Sequence, residues 1–131
     1  MKVNGGACGF VARICATKVD NQSVLVEIES ECKSVRKLGR NLGERGPLTM
    51  RDILATSEAD NPVFHEASLE LPHSACPVGV AIIKAAEVEL GLNLPRDVSI
   101  EFEPDEDGGR RDAGALTIPF ETSREKRSVP T

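Results

Sequence analysis

The sequence has no tryptophan and no tyrosine, and aromatic residues occupy only 3% of its 131 positions. Proteins that hold single-stranded nucleic acid stack bases on aromatic rings, so this scarcity argues against such a role. The formal net charge of −5 argues against any nucleic-acid partner, because neutralising phosphates requires a basic surface. One basic cluster at helical spacing is interpreted as the solvated face of a helix: Lys33, Arg36, Lys37 and Arg40.

Long apolar runs and an export signal are lacking as well. No stretch approaches the roughly 20 apolar residues that a membrane-spanning helix requires, so we expect no membrane association. The amino terminus has no apolar segment typical of a signal peptide, which predicts a cytoplasmic protein with reduced thiols. Two disulfides in a secreted protein are the alternative, since the cysteine count of 4 is even.

The hydrophobic patterns predict an α+β fold, in which a small antiparallel sheet of three strands packs against two or three helices. Residues 10–19 and 23–29 alternate in polarity as the two strands of a hairpin. A three-residue loop at 20–22 would place Ile14 opposite Ile28 and bring the apolar sets of both strands to one face. Glu27 and Glu29 then lie on the solvent face and are interpreted as solubilising residues.

Three stretches are predicted to be helical. Ser30 is interpreted as the N-cap of a helix over residues 31–41, whose buried stripe is predicted to be Val35, Leu38 and Leu42. A capping box over Thr49–Asp52 predicts a short second helix. Residues 76–90 are apolar over much of a helical circumference, which predicts a central helix.

The remaining segments set the predicted limits of the domain. Residues 57–72 are interpreted as a loop around a turn at Asn61-Pro62, and the alternating segment 98–102 as the third strand. One globular domain is therefore predicted over residues 1–103. The polar run that follows predicts a mostly disordered acidic and basic tail over residues 104–131.

The four cysteines do not behave as one set. Cys8 and Cys15 are seven residues apart, which in a regular strand is roughly 23 Å and puts them on opposite faces. They cannot ligate one metal ion unless the strand begins later or bends, and Cys15 is interpreted as a packing residue.

Cys8, Cys32 and Cys76 are instead predicted to converge at the open end of the hairpin, opposite the 20–22 loop. The register places Cys32 opposite Phe10, and Cys76 precedes Pro77 as the expected N-cap of its helix. Helix N-termini favour thiolates and anions. Three glycines suggest that the backbone approaches a bound cofactor closely: Gly5, Gly6 and Gly9.

Three functions remain open at this point. The first is binding of zinc or an iron–sulfur cluster by Cys8, Cys32 and Cys76, with His73 as a candidate fourth ligand. The second is a thiol enzyme or sulfur carrier with Cys76 as an activated nucleophile. The third is a non-catalytic interaction domain with buried structural cysteines, for which a protein partner or a homo-oligomer is open.

The segment from Cys76-Pro77 through the following helix resembles NifU-like iron–sulfur scaffold domains over residues 73–102. That resemblance implies cluster chemistry, but His73 stands where those domains have the first cysteine of a Cys-x-x-Cys pair. The whole chain looks more like small uncharacterised prokaryotic domains with a Gly-Gly-Ala-Cys-Gly start and a later Cys-Pro. That likeness implies no activity.

Overall fold

A computed structural model describes residues 1–106, in which a four-stranded antiparallel sheet carries helices on one face. The strands follow one another in the sheet in chain order: β1 (Lys2–Asn4), β2 (Val11–Asp20), β3 (Ser23–Ser30) and β4 (Leu48–Thr49). The helices are α1 (Lys33–Arg45), α2 (Met50–Leu54), α3 (Pro62–Glu70) and α4 (Val78–Glu89). The predicted α+β class is confirmed, with four strands where three were expected.

The chain divides into two compact units, Met1–Arg96 and Asp97–Thr131. All eight of the elements above lie in the first unit. In the second, residues 97–103 form neither helix nor strand, so the predicted third strand at 98–102 is wrong. Alternating polarity gives a segment one apolar side, but a strand also requires a neighbouring strand to bond its backbone. Most of the predicted tail, residues 107–131, lies outside the described residues.

The register of the β2–β3 hairpin follows the prediction over most of its length. Ile14 pairs with Ile28, as parity required. The register shifts between Lys18 and Asp20, and Asp20 pairs with Ser23. The connection is therefore a two-residue turn with an extra residue on β2, and the predicted three-residue loop is wrong by one position.

The Asp20 carboxylate fixes this turn. The Gln22 backbone N–H donates to Asp20 Oδ1 at 2.8 Å. This bond, followed by one from the Ser23 side chain, lowers the pKa of the Asp20 carboxyl below its ordinary value. The turn therefore favours the charged form of Asp20.

The even-numbered residues of both strands face the helices and form the centre of the core. Val24 is fully buried, and Ala12, Ile14 and Val26 are nearly so. α4 packs over β2 and α1 packs over β3. The buried stripe predicted for α1 is confirmed: Val35, Leu38 and Leu42.

Two helices begin slightly later than predicted. Ser30 is the last residue of β3, and Cys76 belongs to the turn that precedes α4. α1 begins at Lys33, and its N-cap is Cys32 instead of Ser30. Ser30 Oγ accepts from the Cys32 N–H at 3.2 Å and donates to the Val11 carbonyl at 2.9 Å, so Ser30 completes the strand end. The N-cap of α4 is Pro77, one residue after the expected position.

The start of α2 agrees with the prediction. The Asp52 N–H donates to Thr49 Oγ1 at 3.1 Å, and the Thr49 N–H donates to Asp52 Oδ2 at 2.9 Å. These two reciprocal bonds are a capping box with aspartate in the place of glutamate.

Residues 57–72 were predicted as a loop, but they contain α3. Pro62 occupies the first helical turn, where its missing N–H costs nothing, and Asn61 is the N-cap. Asn61 Oδ1 accepts from the N–H groups of Val63 and Phe64 at 3.0 and 3.3 Å. Asn-Pro therefore starts a helix here and does not close a turn.

α3 packs against α1 through polar as well as apolar contacts. Lys37 Nζ lies 3.2 Å from Glu70 Oε2, and Asn41 Nδ2 donates to Glu66 and Glu70. The four basic residues predicted to form a solvated helix face are exposed in α1: Lys33, Arg36, Lys37 and Arg40. Within residues 1–106, no helix has the length and apolar character needed to cross a membrane.

Asn61 is fully buried, and its side chain joins α2 to α3. Its Nδ2 donates to the Ala55 carbonyl at 3.0 Å and to the Ile53 carbonyl at 3.4 Å. Replacing it would leave backbone groups at both ends of the connection unsatisfied.

We therefore predict that Asn61→Ala lowers the free energy of unfolding by about 2–3 kcal/mol, since a cap and buried hydrogen bonds are lost together. Urea denaturation measures the change. Asn93→Ala is the matched control, because Asn93 is exposed and its loss should cost less than about 0.5 kcal/mol. Equal effects of the two substitutions would contradict this role for Asn61.

Candidate functional site

Cys8 lies in the connection between β1 and β2, and local hydrogen bonds shape this loop. The Gly5 N–H donates to the Phe10 carbonyl at 2.9 Å, and the Gly9 N–H donates to the Gly6 carbonyl at 2.9 Å. Gly6 and Gly9 have φ of 76° and 75°, which favours glycine over every other residue. The backbone conformation therefore accounts for these two glycines without a ligand.

Gly5 is required for a different reason. A Cβ atom at this position would lie 2.5 Å from Cys8 Sγ, so the thiol occupies the space over the Gly5 backbone. Cys8 remains exposed to solvent. The group that approaches the Gly5 backbone closely is therefore the Cys8 side chain of the same loop, where a bound cofactor was expected.

Cys32 is half-buried against the core at the start of α1. Its carbonyl accepts from the Arg36 N–H at 3.0 Å, the first hydrogen bond of the helix, and its side chain makes no capping bond. Its surroundings are those of a small apolar residue that closes the end of the core.

Cys76 is also half-buried against the core, ahead of α4. Its N–H donates to the His73 carbonyl at 3.2 Å, which closes a turn before the helix. The His73 side chain is exposed. The His-x-x-Cys spacing therefore forms a turn through the backbone of His73.

The three cysteines predicted as ligands do lie toward one end of the sheet. We call this the open end, where Ala12 pairs with Ser30 opposite the hairpin turn. Cys8 and Cys32 lie just beyond these two strand ends. The Lys18 N–H at the turn end donates to Glu89 near the end of α4, so α4 begins toward the open end, close to Cys76.

Although Cys8, Cys32 and Cys76 lie toward the same end of the sheet, they do not form a metal site. Within residues 1–106, no three histidine, cysteine or acidic side chains form a group that could hold a metal ion. The β2–β3 ladder stops at Ala12 and Ser30, so the predicted pairing of Phe10 with Cys32 does not occur. All four cysteines are free thiols, and none forms a disulfide.

The opposite face of the sheet carries the other concentration of chemically active side chains. Cys15 is exposed there, with Sγ 3.9 Å from Thr17 Oγ1. The helices pack against the even-numbered residues of β2 and β3, and no described element of residues 1–96 covers the odd-numbered ones. We call this the uncovered face; it comprises Lys2, Asn4, Val11, Arg13, Cys15, Thr17, Leu25, Glu27 and Glu29.

Strand pairing arranges the uncovered face in rows. Lys2 pairs with Arg13, which pairs with Glu29, so three charged residues lie side by side across the sheet. In the next row Cys15 pairs with Glu27. Two open depressions on this face share Lys2, Arg13 and Glu29 in their lining.

Sequence reasoning placed Glu27 and Glu29 on a solvent face but assigned them only a solubilising role. The signal that was missed lies in the odd-numbered residues of β2, which face the same side as Glu27 and Glu29. There Arg13, Cys15 and Thr17 mix charge, thiol and hydroxyl on one face. A purely solvated face has little reason to place a cysteine between them.

Comparison with known proteins identifies a family. The model of a family described as a family of unknown function, DUF6951, matches residues 1–102. The chain belongs to this family. Neither the curated proteins nor the solved structures contain a significant match to it. The expectation of an uncharacterised domain is therefore confirmed.

Exposure predicts a definite order of thiol reactivity. In dilute native protein we expect a small maleimide to modify Cys8 and Cys15 several-fold faster than Cys32 and Cys76, because the last two are half-buried. A time course by peptide mass spectrometry measures the four rates. In denaturant the rates should become similar. A native Cys76 that reacts first would contradict this order and support the thiol-enzyme hypothesis.

Proposed function

We propose that this domain is a non-catalytic binding module whose contact surface is the uncovered face of the sheet. The observation that carries the proposal is that one whole face of the sheet, with charged and uncharged side chains in rows, is left open in residues 1–96. Antiparallel sheets tolerate one solvated face, but Val11, Leu25 and Cys15 add apolar and thiol groups to this one.

The proposal takes another protein, and neither nucleic acid nor a membrane, as the class of partner. This face carries charged residues of both signs as well as uncharged ones, whereas a phosphate backbone requires a continuous basic surface. The proposal also locates the domain in the cytoplasm, which the four free cysteines support.

Site-specific photo-crosslinking in cells tests this function. A photoreactive residue replaces Thr17 on the uncovered face, and in a matched control it replaces Arg36 on the exposed side of α1. We expect a discrete adduct from position 17 only, and its loss when Arg13→Glu is added. Identical adduct patterns from both positions would refute the proposal.

A second candidate is binding of zinc or an iron–sulfur cluster at the open end by Cys8, Cys32 and Cys76, with His73 as a further ligand. One observation supports it: these cysteines lie toward one end of the sheet. Thiolates suit both groups. Binding would require the loop that carries exposed Cys8 to move toward the half-buried thiols.

Elemental analysis and an optical spectrum of protein purified without oxygen test the second candidate. Stoichiometric metal is expected, and Cys76→Ser and Cys8→Ser should lose it because each removes one of three thiolates. Cys15→Ser is the control and should retain the metal, since Cys15 lies on the other face. Metal-free protein whose unfolding transition does not change on addition of zinc would exclude this candidate.

A further inference from the structure

The charges on the uncovered face are segregated by strand. Lys2 on β1 and Arg13 on β2 form a basic half, and Glu27 and Glu29 on β3 form an acidic half. Within the described residues, none of these four side chains takes part in an ion pair, although Arg13 and Glu29 are directly cross-strand. The face therefore presents a basic half beside an acidic half.

We propose that the partner at this face is a second copy of the same chain, related by a two-fold axis that runs along the strands between β2 and β3. This inference rests on the proposed function and names the partner of that surface. Rotation about such an axis places β2 of one copy over β3 of the other. Arg13 then faces Glu29 of the second copy, and the reciprocal contact forms at the same time.

The direction of the axis follows from the charges. A two-fold axis perpendicular to the strands would place basic over basic and acidic over acidic, which repels. Stacked sheets lie about 10 Å apart, a gap that an arginine and a glutamate from opposite sides can bridge. Of these two axes, only the one along the strands places Arg13 over Glu29.

The middle of the uncovered face suits the centre of such an interface. Cys15, Thr17 and Leu25 are uncharged and lie between the charged row and the hairpin turn, and Glu27, which pairs with Cys15, is the one charged residue among them. Interfaces place uncharged side chains at the centre and charged ones at the rim. Docking of the second copy would remove Cys15 from solvent, whereas Cys8 lies in the loop outside the face.

Charge reversal of the full chain tests the pairing. Sedimentation velocity over a concentration series should show a dimer for the unmodified protein. Arg13→Glu and Glu29→Arg should each raise the dimer dissociation constant by at least about tenfold, because each places like charges opposite one another twice. Arg36→Glu is the control on α1 and should leave the dissociation constant unchanged.

The decisive measurement mixes the two single variants. Arg13→Glu chains carry only acidic residues at the paired positions and Glu29→Arg chains carry only basic ones, so an equimolar mixture should form heterodimers. A folding defect in either variant could not produce this recovery. If the mixture stays monomeric while the unmodified chain dimerises, the proposed pairing is wrong.

Cys15 gives an independent readout without substitution. Its maleimide reaction should slow several-fold as protein concentration rises through the dimer range, while the reaction of Cys8 stays constant. A chain that is monomeric at every concentration overturns this inference. Position 17 would then still crosslink to a different protein if the proposed function holds, and to nothing if both fail.

Discussion

The structure depends on the register of one hairpin. Pairing Ile14 with Ile28 sends the even-numbered residues of β2 and β3 into the core and the odd-numbered ones outward. A slip of one residue would exchange the two sets, exposing Val24 and Val26 and burying Glu27 and Glu29. This register determines which face of the sheet the helices cover and which face stays uncovered. It also separates Cys15 from the other three thiols.

The sequence predicted those elements for which the local residue types and the spacing of the apolar residues indicate the same secondary structure. Alternation in two adjacent strands determined the hairpin, and the stripe of Val35, Leu38 and Leu42 determined α1. α3 was missed because Asn61-Pro62 suits a turn and a helix start equally well. The burial of Asn61 decides between them, and burial depends on α2, which the local sequence does not reveal.

For the candidate sites as well, the local sequence does not determine how deeply a side chain is buried. Cap chemistry and strand ends located Cys8, Cys32 and Cys76 toward one end of the sheet, to within a residue or two. Sequence order does not specify how deep each thiol lies, and both half-buried cysteines turn toward the core. The uncovered face was missed for a related reason: its residues come from three strands and form a surface only when the pairing is known.

The short β4 affects the tendency of the protein to aggregate through the edge of its sheet at high concentration. It pairs only with Ser23 and Val24, so the rest of β3 has no neighbouring strand on that side. Such an edge invites pairing with identical edges and growth into fibres. Two β3 edges that met in antiparallel fashion would bring acidic residues of both copies together, so Glu27 and Glu29 protect the edge by repulsion. The same pair of glutamates can thus discourage open-ended assembly while leaving the sheet face free for contact.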